Sequence, residues 1–244
     1  MSKLIAKEKD IVVPGEVLAE GMDNLPSMGT YREGDKILAG RLGMVHIDGR
    51  TIKLIPMSGK YNPKRGDVII CEVMDINFGG WRVNTNSAYS AMLSMRDGTS
   101  EFIQKGADLT QYFNLGEHII AQVVNVTSQK LIDLTMKGPG LHKLTGGRII
   151  EVSPYKVPRV IGKQGSMVSM IKRATNCQVV VGQNGLVWIH GKPEGELLVE
   201  QSIRKIEKES HLSGLTDAMQ KFLEKETGVK LGTSAKVEPS AKLG

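Results

Sequence analysis

Residues 160–167 read Val160-Ile161-Gly162-Lys163-Gln164-Gly165-Ser166-Met167, and the fold turns on how they are understood. Two apolar residues end in a glycine, two polar residues follow, and a second glycine closes the turn. Apolar side chains then recur at Met167, Met170, Ile171 and Ala174. That i, i+3, i+4, i+7 spacing predicts an amphipathic helix opening on the glycine loop. Glycines let a backbone turn tightly and approach a ligand with no Cβ in the way. The amides of a helix start, helped by its dipole, favour anionic oxygens, and Lys163 adds a mobile positive charge. The GxxG spacing alone carries little. With 28 glycines in the chain about three are expected by chance, and three occur, beginning at Gly40, Gly162 and Gly182.

Context separates them. Upstream of Gly162, Gly147–Val152 reads as a strand broken by Ser153-Pro154. Downstream, Gln178–Val181 and Leu186–His190 read as strands joined by the hairpin signal Gly182-Gln183-Asn184-Gly185. A long helix follows with Val199, Ile203 and Ile206 on one face. The order is β-α-α-β-β-α. A groove lined by Val160, Ile161 and apolar strand residues would hold about four nucleotides of single-stranded nucleic acid. A further helix is expected over Leu215–Thr227, and the polar stretch 228–244 reads as a disordered tail.

The chain before residue 138 reads as β. Apolar runs at Ile11–Val13, Ile37–Ala39, Met44–Ile47 and Thr51–Ile55 alternate with Gly, Pro, Asn and Asp. A glycine followed by an acid opens three strand-like runs, at Gly34-Asp35, Gly66-Asp67 and Gly116-Glu117. Asn62–Gly66 reads as a linker. Beyond it, strands are expected at 68–76, 81–85, 88–94, 117–126 and 131–135, with a polar insert at 95–115. Five short strands with one long connection suit a five-stranded OB barrel. Such barrels stack bases on outward-facing aromatics, and Phe78, Trp81 and Tyr89 are available. Whether Phe78 and Trp81 fill the core or face outward is open at this stage. The fold class is therefore multidomain and mostly β with a C-terminal α+β domain. The divisions fall at 1–62, 63–138, 139–211, a helix at 212–227 and the tail at 228–244.

Charge points the same way. Between residues 142 and 192 there are eight basic side chains and one acid, Glu151, which indicates a polyanionic partner, most simply nucleic acid. Two cysteines far apart exclude a disulfide framework and a cysteine zinc site. The histidines have no metal-ligand spacing, and no apolar run approaches the ~20 residues that span a bilayer. A cytoplasmic protein without metal or cofactor is expected. No carboxylate cluster, Walker A, GxSxG or HExxH motif offers catalysis.

Val160-Ile161-Gly162-x-x-Gly165 within β-α-α-β-β-α resembles a KH domain of the eukaryotic type. The middle module, with Gly66-Asp67 at its opening and Phe78-Gly79-x-Trp81 at its centre, resembles the ribosomal-protein S-one type of OB fold, with Ser94 standing where that family commonly has His. A β-rich domain opening with Val13-Pro14-Gly15, then this barrel, then a KH domain resembles the KH-bearing cap subunits of archaeal exosomes, over about residues 8–210. The resemblance implies a non-catalytic subunit, three copies of which cap a phosphorolytic hexameric ring and direct the 3′ end of single-stranded RNA to its pore. The N-terminal domain would dock on the ring. RNA contacts are expected from Arg159, Gly162, Lys163, Gln164 and Gly165 on the KH loop, and from Arg65, Phe78, Trp81, Arg82, Arg96 and Lys105 on the barrel. The alternative is a transcription elongation or termination factor of the Nus type, although such proteins usually carry two KH domains. A nuclease in its own right is disfavoured.

Overall fold

The computed structural model describes residues 3–101, 103–104, 106–210, 212 and 214–228. Lys105 and the tail from residue 229 onward lie outside the described residues. The chain divides into two compact units, Met1–Gly59 and Lys60–Gly244.

The first unit consists of β1 (Lys3–Leu4), β2 (Ile11–Val12), β3 (Val17–Glu20), β4 (Leu25–Pro26), β5 (Thr30–Glu33), β6 (Lys36–Ala39), β7 (Gly43–Asp48) and β8 (Thr51–Pro56). They form two four-stranded sheets, ordered β1-β3-β6-β5 and β2-β7-β8-β4. Successive side chains of a strand point to opposite faces, so Val45, Ile52 and Leu54 enter the core with Leu18, Ile37 and Ala39. The opposite face of the second sheet keeps an apolar row. Ile11 lies opposite Met44, and Met44 opposite Ile55, with Ile11 and Ile55 exposed.

In the second unit, β9 (Val68–Asn77), β10 (Gly80–Asn84), β11 (Ser90–Ser94), β12 (His118–Val126) and β13 (Ile132–Thr135) make a closed barrel. Its order is β13-β11-β10-β9-β12, and β13 pairs with β12 to complete the circle. The polar insert contains a one-turn helix, α1 (Met95–Gly98), and a short 3₁₀ segment at Leu109–Gln111. Tyr61, upstream of the boundary read from the sequence, packs in the barrel core and donates to the Asp67 carboxylate at 2.6 Å. Burial first, then that carboxylate, pushes its phenol well above the usual range.

Two of the glycine–acid pairs are mates about a local two-fold. β9 and β12 are antiparallel, with Ile70 opposite Ile120. The Gly66 amide donates to the Val123 carbonyl at 2.8 Å, and the Gly116 amide to the Val73 carbonyl at 2.8 Å. Each turn thus closes on the far end of the strand that its mate opens. Positive φ values of 91° and 78° explain the glycines.

A two-residue strand, β14 (Lys143–Leu144), leads from the barrel to β15 (Arg148–Glu151). Then come α2 (Val157–Ile161), α3 (Ser166–Thr175), β16 (Gln178–Val181), β17 (Leu186–His190), α4 (Pro193–Glu209) and α5 (Leu215–Thr227). The sheet order is β15-β17-β16, antiparallel throughout. Its inner face packs Ile150, Val179, Val187 and Ile189 under the helices. Its outer face packs against the barrel, where Trp188 shares a buried cluster with Ile70, Ile120 and Leu144.

Candidate nucleic-acid interface

The loop between α2 and α3 is built as its sequence requires. Gly162 caps α2 at φ 75°, and its amide donates to the Pro158 carbonyl at 3.0 Å. A Cβ there would lie 2.7 Å from both the Met167 amide nitrogen and its Cβ. Gly165 has φ 77° with only Ser169 Oγ nearby, at 4.0 Å. Between them Gln164 takes the left-handed conformation, φ 52°. Lys163 and Gln164 are exposed, as is Arg159 on α2. α3 opens at Ser166 without a side-chain cap; the Ser166 amide donates to the Lys163 carbonyl, and the amides that follow it lack an intrahelical partner. The structure therefore brings the five loop candidates together as one open, cationic turn. Val160, expected to line a groove, is instead fully buried in the core, while Ile161 is half-buried.

The other two GxxG tetrapeptides have different work. Gly43 is pressed against β8, where a Cβ would lie 2.8 Å from the Ile55 carbonyl oxygen. Gly182–Gly185 docks on the barrel. β10 pairs with β9 only as far as Glu72, so Val68 and Ile70 face that edge with no strand beside them. The turn replaces the strand. Gln183 exchanges two hydrogen bonds with Val68, both 2.9 Å. The buried Asn184 amide accepts from the Ile70 N–H at 3.3 Å and donates to the carbonyls of Ile70 and Thr85 at 2.7 and 2.8 Å. Sequence reasoning saw only a hairpin here. An Asn flanked by glycines, at a spacing that can imitate a peptide group, was the available signal.

On the barrel, the β9–β10 hairpin turns through Phe78-Gly79. Gly80 has φ 146°, and a Cβ there would lie 2.1 Å from the Leu93 carbonyl oxygen. Phe78 at the tip is 99% exposed, whereas Trp81 is 0% exposed. Trp81 is thereby corrected from RNA contact to core. Its indole donates to the Phe113 carbonyl at 3.1 Å, and its ring meets the Phe113 ring edge-on at 4.9 Å. The alternation Trp81-Arg82-Val83 held the clue, because Trp81 shares a face with the buried Val83. Trp188, the other indole, is buried too.

Arg82 faces outward opposite Met92, with Asp75 at 3.7 Å. Arg65 and Arg96 are exposed, as are Met74 and Tyr89. Phe78, Met74, Arg82 and Met92 give β9–β11 an outer surface of aromatic, thioether and guanidinium groups. Ser94 caps α1, its hydroxyl accepting from the Asp97 amide at 3.2 Å and donating to the Asp97 carboxylate at 2.6 Å. Among the described residues no group of His, Cys, Asp and Glu could hold a metal ion, and no helix is long and apolar enough to cross a membrane.

A closed five-stranded barrel joined to a β-α-α-β-β-α module with an exposed cationic glycine loop defines a multi-module protein of the nucleic-acid-binding class. Residues 147–195 match the KH domain family, and residues 9–58 match the N-terminal domain of the exosome RNA-binding protein RRP4. The "Exosome complex component Rrp4" of Methanothermus fervidus is 42% identical, over 90% of this chain and 97% of its own length. The protein of the same description from Methanothermobacter thermautotrophicus is 41% identical, over 93% of this chain and 72% of its own. A crystal structure assigned provisionally as an exosome complex RNA-binding protein superposes with a TM-score of 0.62 at 34% identity, covering 69% of this chain and 97% of that one. The chain belongs to the Rrp4 family of exosome complex components.

Proposed function

We propose that this protein is an RNA-binding, non-catalytic subunit of an exosome that caps a phosphorolytic hexameric ring in three copies. In this role it captures single-stranded RNA and directs the 3′ end to the pore. The observation that carries the RNA assignment is the open loop Gly162–Gly165, with Lys163 exposed on it and Arg159 exposed beside it. Phosphate would meet the glycine turn and the α3 amides, and Lys163 would neutralise it. On the barrel, Phe78 is free to stack on a base, with Arg65, Arg82 and Arg96 as the described cations for the backbone. Lys105 extends this set from the sequence alone.

The apolar row Ile11–Met44–Ile55 suits docking on a protein surface, since water-exposed contiguous apolar side chains on a sheet face favour burial. Names given to the relatives place them in the exosome, and the ring is the partner assigned to this row. The test has two arms. Native extract should yield the phosphorolytic ring subunits with the tagged protein, and Met44→Asp with Ile55→Asp should abolish their recovery. End-labelled RNA should bind the purified chain and stay its full length, with or without Mg²⁺ and phosphate. Shortening by the chain alone, or recovery of RNA polymerase in place of the ring, would overturn the assignment.

A further inference from the structure

The KH module carries its charges in two sorted groups. On the β15–α4 side three cations are engaged. Arg148 meets Glu200 at 2.5 Å, Arg204 meets Glu207 at 3.3 Å, and the Lys156 ammonium donates to the Glu207 carbonyl at 2.9 Å. On the α2–α3 side none is. Arg159, Lys163, Lys172 and Arg173 are exposed, and no ion pair is recorded for any of them among the described residues. The sequence offers them none nearby in the chain, because no Asp or Glu occurs between Glu151 and Glu194.

Geometry extends this field beyond the loop. Met167, Met170 and Ile171 turn the buried face of α3 into the core. At about 100° per residue, the opposite face carries Ser169, Lys172 and Arg173. Lys172 and Arg173 lie about one turn past Ser169. At ~1.5 Å rise per residue, Arg173 stands about 12 Å along the axis from Gly165. That distance takes the track past the single phosphate a glycine turn can cradle. Two cations near a helix C-terminus also complement its dipole, which accounts for part of their placement. It does not account for the missing acids.

We propose that the exposed face of α3, through Lys172 and Arg173, is a second phosphate-binding track that continues the RNA path away from the Gly162–Gly165 loop. The proposal rests on reading that loop as an RNA site. The occupant is the RNA backbone rather than its bases, because the face offers cations and short polar side chains but no aromatic ring.

The test uses the full chain and oligo(A) of two lengths, about four nucleotides, enough for the loop groove, and about ten, within the reach of an OB barrel. Lys172→Glu with Arg173→Glu should weaken the longer RNA several-fold and leave the shorter one within twofold. For the longer RNA the slope of log K against log salt should fall by about 1.4, at ~0.7 per single-strand phosphate released. A Lys3→Glu, Lys7→Glu variant makes the same change in net charge. An equal loss there would overturn the track in favour of a general field effect, as would an unchanged slope in the α3 variant, or equal losses at both lengths. If the reversed-charge variant melts early, Lys172→Gln with Arg173→Gln gives the same slope change without repulsion. Failure of the loop reading shows separately, as unchanged binding when Lys163 and Gln164 are replaced by Asp.

Discussion

Asn184→Ala removes a side chain that serves as a piece of backbone. Its amide completes the edge of β9 at Ile70, whose N–H and C=O face away from β12, and it also satisfies the Thr85 carbonyl. Asn184 is fully buried, so the groups left behind have limited access to water. A buried donor or acceptor stripped of its partner costs ~1–3 kcal/mol. One N–H and two carbonyls are affected, but the 3.3 Å bond is the weakest, and carbonyls tolerate underuse better than amides. A net loss of about 3 kcal/mol follows. For a unit of this size, that lowers the melting temperature by roughly 6–12 °C. Urea denaturation, followed by fluorescence of Trp81 in the barrel and Trp188 at the junction, would measure it. Asn184→Asp should be worse at neutral pH, because a carboxylate would oppose two carbonyl oxygens. An Asn184→Ala protein within ~0.5 kcal/mol of the parent, the range of ordinary surface changes, would refute the idea that the turn replaces a strand.

The hairpin aromatics should separate cleanly: Phe78→Ala should weaken RNA binding by ~1–3 kcal/mol with little change in melting, whereas Trp81→Ala should cost about 3–5 kcal/mol of stability. Replacing Lys163 and Gln164 by Asp should leave the melt nearly unchanged, lower oligo(A) affinity and reduce the salt slope by ~0.7–1. Cys71 is fully buried, and burial pushes its thiol above the usual range; a thiol reagent near pH 8 should leave it unmodified until the protein unfolds. Burial pulls the Glu117 carboxyl upward, but the Asn114 amide and Lys143, the latter at 2.6 Å, outweigh it and hold the group below its ordinary value. A depressed carboxyl stabilises above its unfolded pKa and loses that contribution as pH falls through the folded one. Lys143→Met should therefore cost stability at neutral pH and little at pH 2–3, read from melts across that window.

The barrel and the KH module were legible because their elements announce themselves locally. Turn glycines with following acids opened β9 and β12, and the spacing of Met167, Met170 and Ile171 marked α3. Phe78 and Trp81 were harder, since a short aromatic hairpin is compatible with either face until the neighbours of Trp81 are fixed. Those neighbours, Phe113 and Gly98, lie 32 and 17 residues further along. The docking of Gly182–Gly185 was invisible for the same reason. Asn184 meets residues 114 and 99 positions away, and no local pattern encodes such a meeting. Charge sorting on α3 was half visible: the sequence shows the absence of acids, but only the fold shows which cations find partners on α4.

The apolar cluster of Ile70, Ile120, Leu144 and Trp188 has a further consequence for the RNA contacts proposed above. With this cluster and the Asn184 strap between them, barrel and KH module are not tethered by a free linker, so the separation between Phe78 and the glycine loop is a built-in length. A strand bound at one place meets the other at an effective concentration set by its own flexibility, not by domain diffusion. RNAs too short to bridge that length gain nothing from the second contact, and longer ones gain it at little entropic cost to the protein. With RNA held at both proposed contacts, the buried junction would act as a ruler and make avidity a function of RNA length.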